Sequence, residues 1–246
     1  METVEDRFLD GQLRITQPVD GYRAATDPVL LAASTPAKPG DSVLDLGCGV
    51  GTAALCLAKR VGFMNLQGLE VQEDYAALAQ ANARVNDVHM IVHRGNVKAM
   101  PDVLRQQSFD AVMINPPWHP AAGSGSPLTG RDTANRLGTD LAVWIAAGLT
   151  RTKPGGWLVM IQRAEHLPSV LAAINARAGD IAVLPLAARH GRPAKRVILK
   201  ARKNARGAFR LAAPLVLHEG PAHDSDGDDF TPQATAVLRR GTAIEF

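Results

Sequence analysis

Residues 41–52, Asp-Ser-Val-Leu-Asp-Leu-Gly-Cys-Gly-Val-Gly-Thr, set three glycines at alternate positions directly behind a short apolar run. A run of that kind, bounded by turn formers, reads as a strand buried on both faces, and such strands belong to parallel sheets covered by helices. The glycines supply a turn that lets a ligand approach the backbone closely where a strand enters a helix. The sequence therefore predicts a strand over 42–46, a turn over 47–51 and a helix from about Thr52 through Arg60. Its spacing is G-x-G-x-G, not the dinucleotide pattern G-x-G-x-x-G.

The next strand, Asn65-Leu-Gln-Gly-Leu-Glu70, ends in an acid about 20 residues past the glycines, where a carboxylate takes the hydroxyls of an adenosine ribose. The glycine turn by itself is compatible with a purely structural role. Joined to Glu70 at the following strand end, it points to a nucleoside-bearing cofactor.

A second apolar run, Phe109-Asp-Ala-Val-Met-Ile114, is closed by Asn115-Pro116-Pro117-Trp118. The prolines end the strand, so Asn115 lies at its carboxyl end, the edge at which open α/β sheets bind ligands. Four-residue patterns recur by chance, and a Pro-rich turn with Trp118 as an ordinary aromatic is the plain alternative. The chemistry this tetrapeptide suits is methylation of a planar NH2 group, whose lone pair is delocalised into a ring or carbonyl. If the Asn115 side-chain oxygen and the Pro116 carbonyl each accept one N–H, the nitrogen is pushed toward tetrahedral geometry. The same dipoles stabilise the positive charge that grows on it. Pro116 and Pro117 hold both acceptors in place beforehand, and Trp118 offers a flat face for a base to stack on.

Composition is that of a globular chain: 246 residues, 46% hydrophobic and 21% charged, enough for one α/β domain with a substantial core. Its divisions are expected at 1–40 (N-terminal segment and helix), 41–206 (core) and 207–246 (C-terminal extension). Cys48 and Cys56 are the only cysteines; they make no disulfide framework, no Cys/His cluster has zinc spacing, and no metal is expected. No signal peptide and no 18-residue apolar span is evident, so the expectation is a cytoplasmic protein that enters no membrane. A net charge of +3 and a pI near 9.1 permit nucleic-acid binding without requiring it.

Residues 8–33 read as two extended pieces broken at Gly11 and Pro18, then a helix with Asp27 as N-cap and Pro28 at its first position. The polar stretch Arg23 to Asp27 is a candidate ligand-facing segment. A helix over 73–85, with Tyr75, Leu78 and Ala81 or Asn82 on one face, leads to a strand over 89–93. The Gly/Pro-rich stretch after Trp118, including His119 and Arg131, reads as a substrate loop. A helix over 139–151, a Lys153-Pro-Gly-Gly turn, a strand over 157–161, a helix over 165–178 and a strand over 181–186 follow. Between Arg189 and Arg206 nine Arg, Lys and His residues surround the strand Val197-Ile-Leu-Lys-Ala. Such a run is either a guarded edge strand or a phosphate-binding surface, with Arg192, Lys195, Arg196 and Lys203 the candidates. The acidic stretch from His223 lacks the correctly spaced glycine and the terminal Glu of a calcium loop and reads as a solvated loop before a helix over 231–239.

Asp-Leu-Gly-Cys-Gly-Val-Gly, Glu70 and Asn-Pro-Pro-Trp, in this order and spacing, resemble the S-adenosylmethionine-dependent methyltransferases of the seven-stranded α/β type, in their amino-methylating branch. Gly21-Tyr-Arg-Ala-Ala-Thr-Asp27-Pro-Val-Leu-Leu-Ala further resembles the bacterial subfamily that methylates the adenine next to the anticodon of a valine tRNA. The resemblance spans roughly residues 8–205. It implies a doubly wound, mostly parallel seven-stranded sheet with an antiparallel last strand and S-adenosylmethionine as cofactor. Asp45 and Gly47, Cys48, Gly49 and Gly51 would line the methionine end, Glu70 would bind the ribose, and Asn115 would border the cofactor. Asn96 stands where many relatives carry an Asp that binds the adenine amine. The implied reaction is methylation of the N6 amine of an adenine in RNA, with tRNA ranked first and the base unpaired or flipped.

Two alternatives stand beside this. A release-factor type glutamine methyltransferase poses the same lone-pair problem on an amide. Relatives of that kind carry a helical domain ahead of the cofactor motif, whereas about forty residues precede the strand at 42 here. A non-enzymatic RNA-binding module with the same fold is opposed by the presence of Asn115, Pro116 and Glu70.

Overall fold

Leu44, Leu46, Val112 and Ile114 are completely buried, which is what their unbroken apolar runs require of strands covered on both faces. The computed structural model describes residues 1–117, 141–221 and 229–246. In chain order a hairpin of β1 (Thr3–Phe8) and β2 (Leu13–Pro18) precedes α1 (Thr26–Ser34), β3 (Ser42–Leu46) and α2 (Thr52–Val61). Then come β4 (Asn65–Glu70), α3 (Glu73–Val85), β5 (Met90–Arg94), α4 (Asp102–Arg105) and β6 (Phe109–Ile114). Beyond residue 140 lie α5 (Leu141–Arg151), β7 (Thr152–Arg163), α6 (Leu167–Ile174), β8 (Ala178–Ala187) and β9 (Arg196–Lys203). The described chain closes with the two-residue strands β10 (Arg210–Leu211) and β11 (Leu215–Val216), and α7 (Pro232–Arg240).

The large sheet has the order β10-β8-β9-β7-β6-β3-β4-β5, with β11 also beside β8. Seven long strands form the expected doubly wound sheet, and the two short ones extend it along β8. The strands β7, β6, β3, β4 and β5 are parallel; β9, the last long strand, is antiparallel to both β7 and β8 and lies between them. One face is covered by α1, α2, α3, α7 and the β1–β2 hairpin around Leu30, Leu55 and Ala79. The other is covered by α4, α5 and α6 around Leu104, Ile145 and Ile174. Among the described residues no helix is long and apolar enough to cross a membrane.

Several boundaries differ from expectation for identifiable reasons. The helix α1 begins at Thr26, with Ala25 at the cap position and no side-chain cap, so Asp27 is not an N-cap; its carboxylate is committed to Arg196 instead. Lys153-Pro-Gly-Gly lies inside β7: pairing passes from Phe109–Thr152 to Ala111–Trp157, so residues 153–156 bulge out of one continuous strand. The helix at 165–178 shrinks to Leu167–Ile174 between 3-10 turns, because Ala178 already pairs with Lys203 as the start of β8.

Candidate active site

The carboxyl ends of β3, β4 and β6 meet at one edge, and the glycine turn hangs from it. Gly47 and Gly49 both have positive φ, 73° and 55°. A Cβ on Gly47 would stand 2.7 Å from the Trp144 ring, while one on Gly49 would meet nothing within 4 Å. The turn is thus pressed to the core on one side and open on the other. The amides of Gly47 and Cys48 donate to the Leu69 carbonyl at 2.8 and 3.0 Å, and Asn82 Nδ2 donates to the Val50 carbonyl at 3.0 Å. These bonds tie the turn to β4 and α3.

Glu70 is buried, and its carboxylate accepts from the backbone amides of Gly49 (3.0 Å), Val71 (2.9 Å) and Gln72 (2.8 Å). Burial raises its pKa, and the three amides oppose that. A carboxylate has about four lone-pair sites, so one position, on Oε2, remains for a ribose hydroxyl. A second hydroxyl would have to displace the Gly49 amide. Asp45 is more deeply placed, at 2% exposure, and its Oδ2 has no hydrogen-bond partner. Burial pushes its pKa up to about 7, with the Ala54 amide lowering it and the Glu70 charge raising it. An orphaned carboxylate oxygen beside a second carboxylate and an open glycine turn suits a ligand carrying positive charge and a ribose. The residues present therefore fit the expected cofactor.

Cys48 contributes only its backbone. Its sulfur would lie 2.7 Å from a Cβ on Gly68, beneath the turn, and burial pushes its thiol well up; Cys56 is likewise pushed to about 12 by burial. Both are inert thiols. Asn96 follows β5 at the same edge, but its side-chain oxygen accepts from the Lys98 amide at 2.8 Å and so closes its own turn.

Asn115 is half-buried where β6 ends, and its Nδ2 lies 3.1 Å from the Tyr22 hydroxyl. Among the described residues nothing donates to its Oδ1. Pro116 is buried and Pro117 half-buried. Trp118, His119 and Arg131 lie outside the described residues, as does the predicted substrate loop, and so does the acidic stretch from His223 to Asp228.

The N-terminal segment reaches this site through contacts that sequence reasoning missed. Asn82, buried on α3, accepts from the Thr16 amide and donates to the Thr16 carbonyl, at 2.8 and 3.0 Å. The Tyr75 hydroxyl accepts from the Tyr22 amide and donates to the Tyr22 carbonyl, at 3.0 and 3.2 Å. A buried Asn on the inward face of α3 was the one available signal, since a polar group there needs partners from elsewhere in the chain. Of the predicted pair, Arg23 turns to Asp6 of β1 at 2.6 Å, and Asp27 is bound to Arg196.

The basic segment is split by the topology. Because β9 runs antiparallel, Arg196 pairs with Arg163 at the carboxyl end of β7, whereas Arg202 pairs with Trp157 toward its start. Arg192 and Lys195 are exposed in the loop between β8 and β9, at the Asn115 edge. Lys203 sits at the opposite edge and donates to the Thr152 carbonyl at 2.6 Å. Lys203 is therefore removed from the substrate-binding set, because an eight-residue strand carries its two ends to opposite edges of the sheet. Arg196, held by Asp27, orders α1 against β9.

The sequence pattern of the methyltransferase small domain family matches residues 25–174. A release factor glutamine methyltransferase of Aliivibrio fischeri is 31% identical over 48% of this chain and 44% of its own. A tRNA1(Val) (adenine(37)-N6)-methyltransferase of Porphyromonas gingivalis is 31% identical over 46% of this chain and 48% of its own. The chain spans about half the length of these curated relatives. The crystal structure of a predicted O-methyltransferase, Atu636 of Agrobacterium tumefaciens, has a TM-score of 0.72 at 23% identity, covering 89% of this chain and 98% of that one; at this identity it shows the fold alone.

Proposed function

The chain belongs to the methyltransferase small domain family, and from that premise we propose that it methylates the exocyclic N6 amine of an adenine in RNA, with tRNA the first class to test. The family is one of S-adenosylmethionine-dependent methyltransferases. When bound, that cofactor supplies an activated methyl group on a sulfonium. Asp45 and Glu70 would meet its positive charge and its ribose, and the open side of Gly49 would admit it to the backbone.

The observation that carries the reading is Asn115 at the end of β6, beside the glycine turn, with its NH2 engaged by Tyr22. Asn115 Oδ1 and the Pro116 carbonyl then accept the two N–H bonds of the planar amine and turn its lone pair toward the methyl. When a methyl is transferred to that nitrogen, both acceptors would stabilise the charge it gains. The product cation releases its proton to water, so no general base is needed. Arg192 and Lys195 flank this edge and suit phosphates, and Trp118, following directly in the chain, is the proposed stacking face.

A glutamine side-chain amide is the second reading, favoured by the equal identity to the release factor enzyme. The exposed Arg192 and Lys195 favour RNA over it. Incubation with labelled S-adenosylmethionine and bacterial RNA or protein, followed by nuclease or protease, separates the two. Label lost to nuclease is expected; label lost only to protease would establish the glutamine reading instead.

A further inference from the structure

Residues 19–25 connect β2 to α1, and the segment is fastened from outside itself. Gln17, completely buried, donates to the Ala24 carbonyl at 3.2 Å, accepts from the Ala24 amide at 2.7 Å and donates to Asp6 at 2.8 Å. The Tyr75 hydroxyl grips the Tyr22 backbone amide and carbonyl together. None of these bonds uses the Tyr22 side chain. Its hydroxyl is hydrogen-bonded instead to Asn115, 93 residues away in sequence.

The contact has a direction. An Asn–Tyr pair can form with the amide NH2 donating to the phenol oxygen or, after a flip of the amide, with the phenol donating to the amide oxygen. The structure sets Nδ2, not Oδ1, against the Tyr22 hydroxyl, at 3.1 Å. Burial, then the charge of Asp27, carries the Tyr22 pKa to about 12, and the Asn115 hydrogen bond opposes that rise, as a bond donated to the phenol oxygen does. The phenol is then an acceptor, the Asn115 NH2 is its donor, and Oδ1 is turned outward. In the flipped amide an NH2 would face the substrate NH2, donor against donor.

We propose that Tyr22 is a positioning residue that fixes the amide of Asn115 with its oxygen toward the substrate amine. This rests on the amine-methylating reading above. Tyr22 touches neither the methyl nor the nitrogen that receives it; it acts through Asn115.

The test is Tyr22→Phe in the full chain, which keeps the ring and leaves the Tyr75 and Gln17 bonds in place. The kcat on the methyl acceptor identified for the wild type should fall about five- to tenfold, the worth of one net hydrogen bond, while KM for S-adenosylmethionine stays within twofold. The side-chain NH2 resonances of Asn115, assigned by their loss in Asn115→Ala, should shift and exchange faster with water. In an Asn115→Asp background, where either oxygen accepts, Tyr22→Phe should cost less than twofold. A kcat within twofold of wild type, unmoved NH2 resonances, or a rise in cofactor KM with kcat unchanged overturns the proposal. A wild-type enzyme that methylates neither RNA nor protein overturns the amine reading and this proposal with it, whereas an active wild type indifferent to Tyr22→Phe overturns the proposal alone.

Discussion

Asp45 and Asp110 stand on neighbouring parallel strands of one sheet, toward opposite ends, and their carboxyls shift in opposite directions. Asp110, where β6 begins, feels some burial, but the Lys153 ammonium at 2.8 Å and the Ser42 hydroxyl and amide at 2.7 and 2.9 Å hold it down at about 2. Asp45, near the end of β3, is buried with an unpartnered oxygen and a carboxylate neighbour, and rises to about 7. The far edge satisfies its charge internally. The near edge leaves charge unsatisfied, which costs folding free energy and is retained where a ligand of opposite charge completes the site. The same division separates the two ends of β9, where Lys203 is absorbed by backbone carbonyls while Arg192 and Lys195, just ahead of the strand, face solvent.

The sharpest way to break this comparison is at Asn115. Asn115→Ala should lower kcat by about 10²-fold or more, by analogy with removal of one preorganised oxyanion-hole group, with cofactor and substrate affinity little changed. Steady-state kinetics retaining near-full turnover would reduce Asn-Pro-Pro-Trp to a turn.

Next in size is the titration of Asp45. Its folded pKa is raised, so the fold is penalised above pH 7 and the penalty fades as pH falls through about 7 toward the ordinary carboxylate value. Asp45→Asn should therefore stabilise the free protein by about 2 kcal/mol at pH 8 and by progressively less below pH 7. The same change should weaken S-adenosylmethionine about tenfold, since a carboxylate facing a cation is lost. In the wild type, binding should release a proton near pH 6.5 and weaken below it. Calorimetry in buffers of different ionisation enthalpy reads this directly, and no proton release would show that Asp45 does not meet the cation.

The smallest effects belong to the far edge. Asp110 is 36% exposed, so solvent screening holds Asp110→Asn to about 1 kcal/mol or less. Its folded pKa is depressed, so that stability is present above the ordinary carboxylate value and lost as pH falls toward 2. Cofactor affinity should not move. Lys203→Ala should likewise leave RNA KM and its salt dependence intact, while Arg192→Ala with Lys195→Ala raises KM and flattens the salt slope. An equal response from the two edges would erase the distinction drawn between them.

Much of this was legible in the sequence because it is local. The run Ser42–Leu46, the left-handed glycines, the strand ending at Glu70 and the prolines closing Phe109–Ile114 are each dictated by neighbours a few residues away, and they place Asp45, Glu70 and Asn115 at one sheet edge. Sequence reasoning went astray where a residue's partner is distant. Asp27 has the form of an N-cap, but an arginine 169 residues away claims it. Lys203 looked continuous with Arg192, until the direction of β9 carried it to the other edge.

The sequence by itself determined the doubly wound sheet, the glycine turn, the two acids and the Asn-Pro-Pro segment, since backbone sterics and apolar periodicity act over a few residues. Only the tertiary structure decided which way Asn115 is held, how many acceptor sites Glu70 has left, and which cations stand at the Asn115 edge. Those outcomes depend on hydrogen bonds and fields between residues as far apart as Tyr22 and Asn115, and such pairings exist only once the sheet has brought its strand ends together.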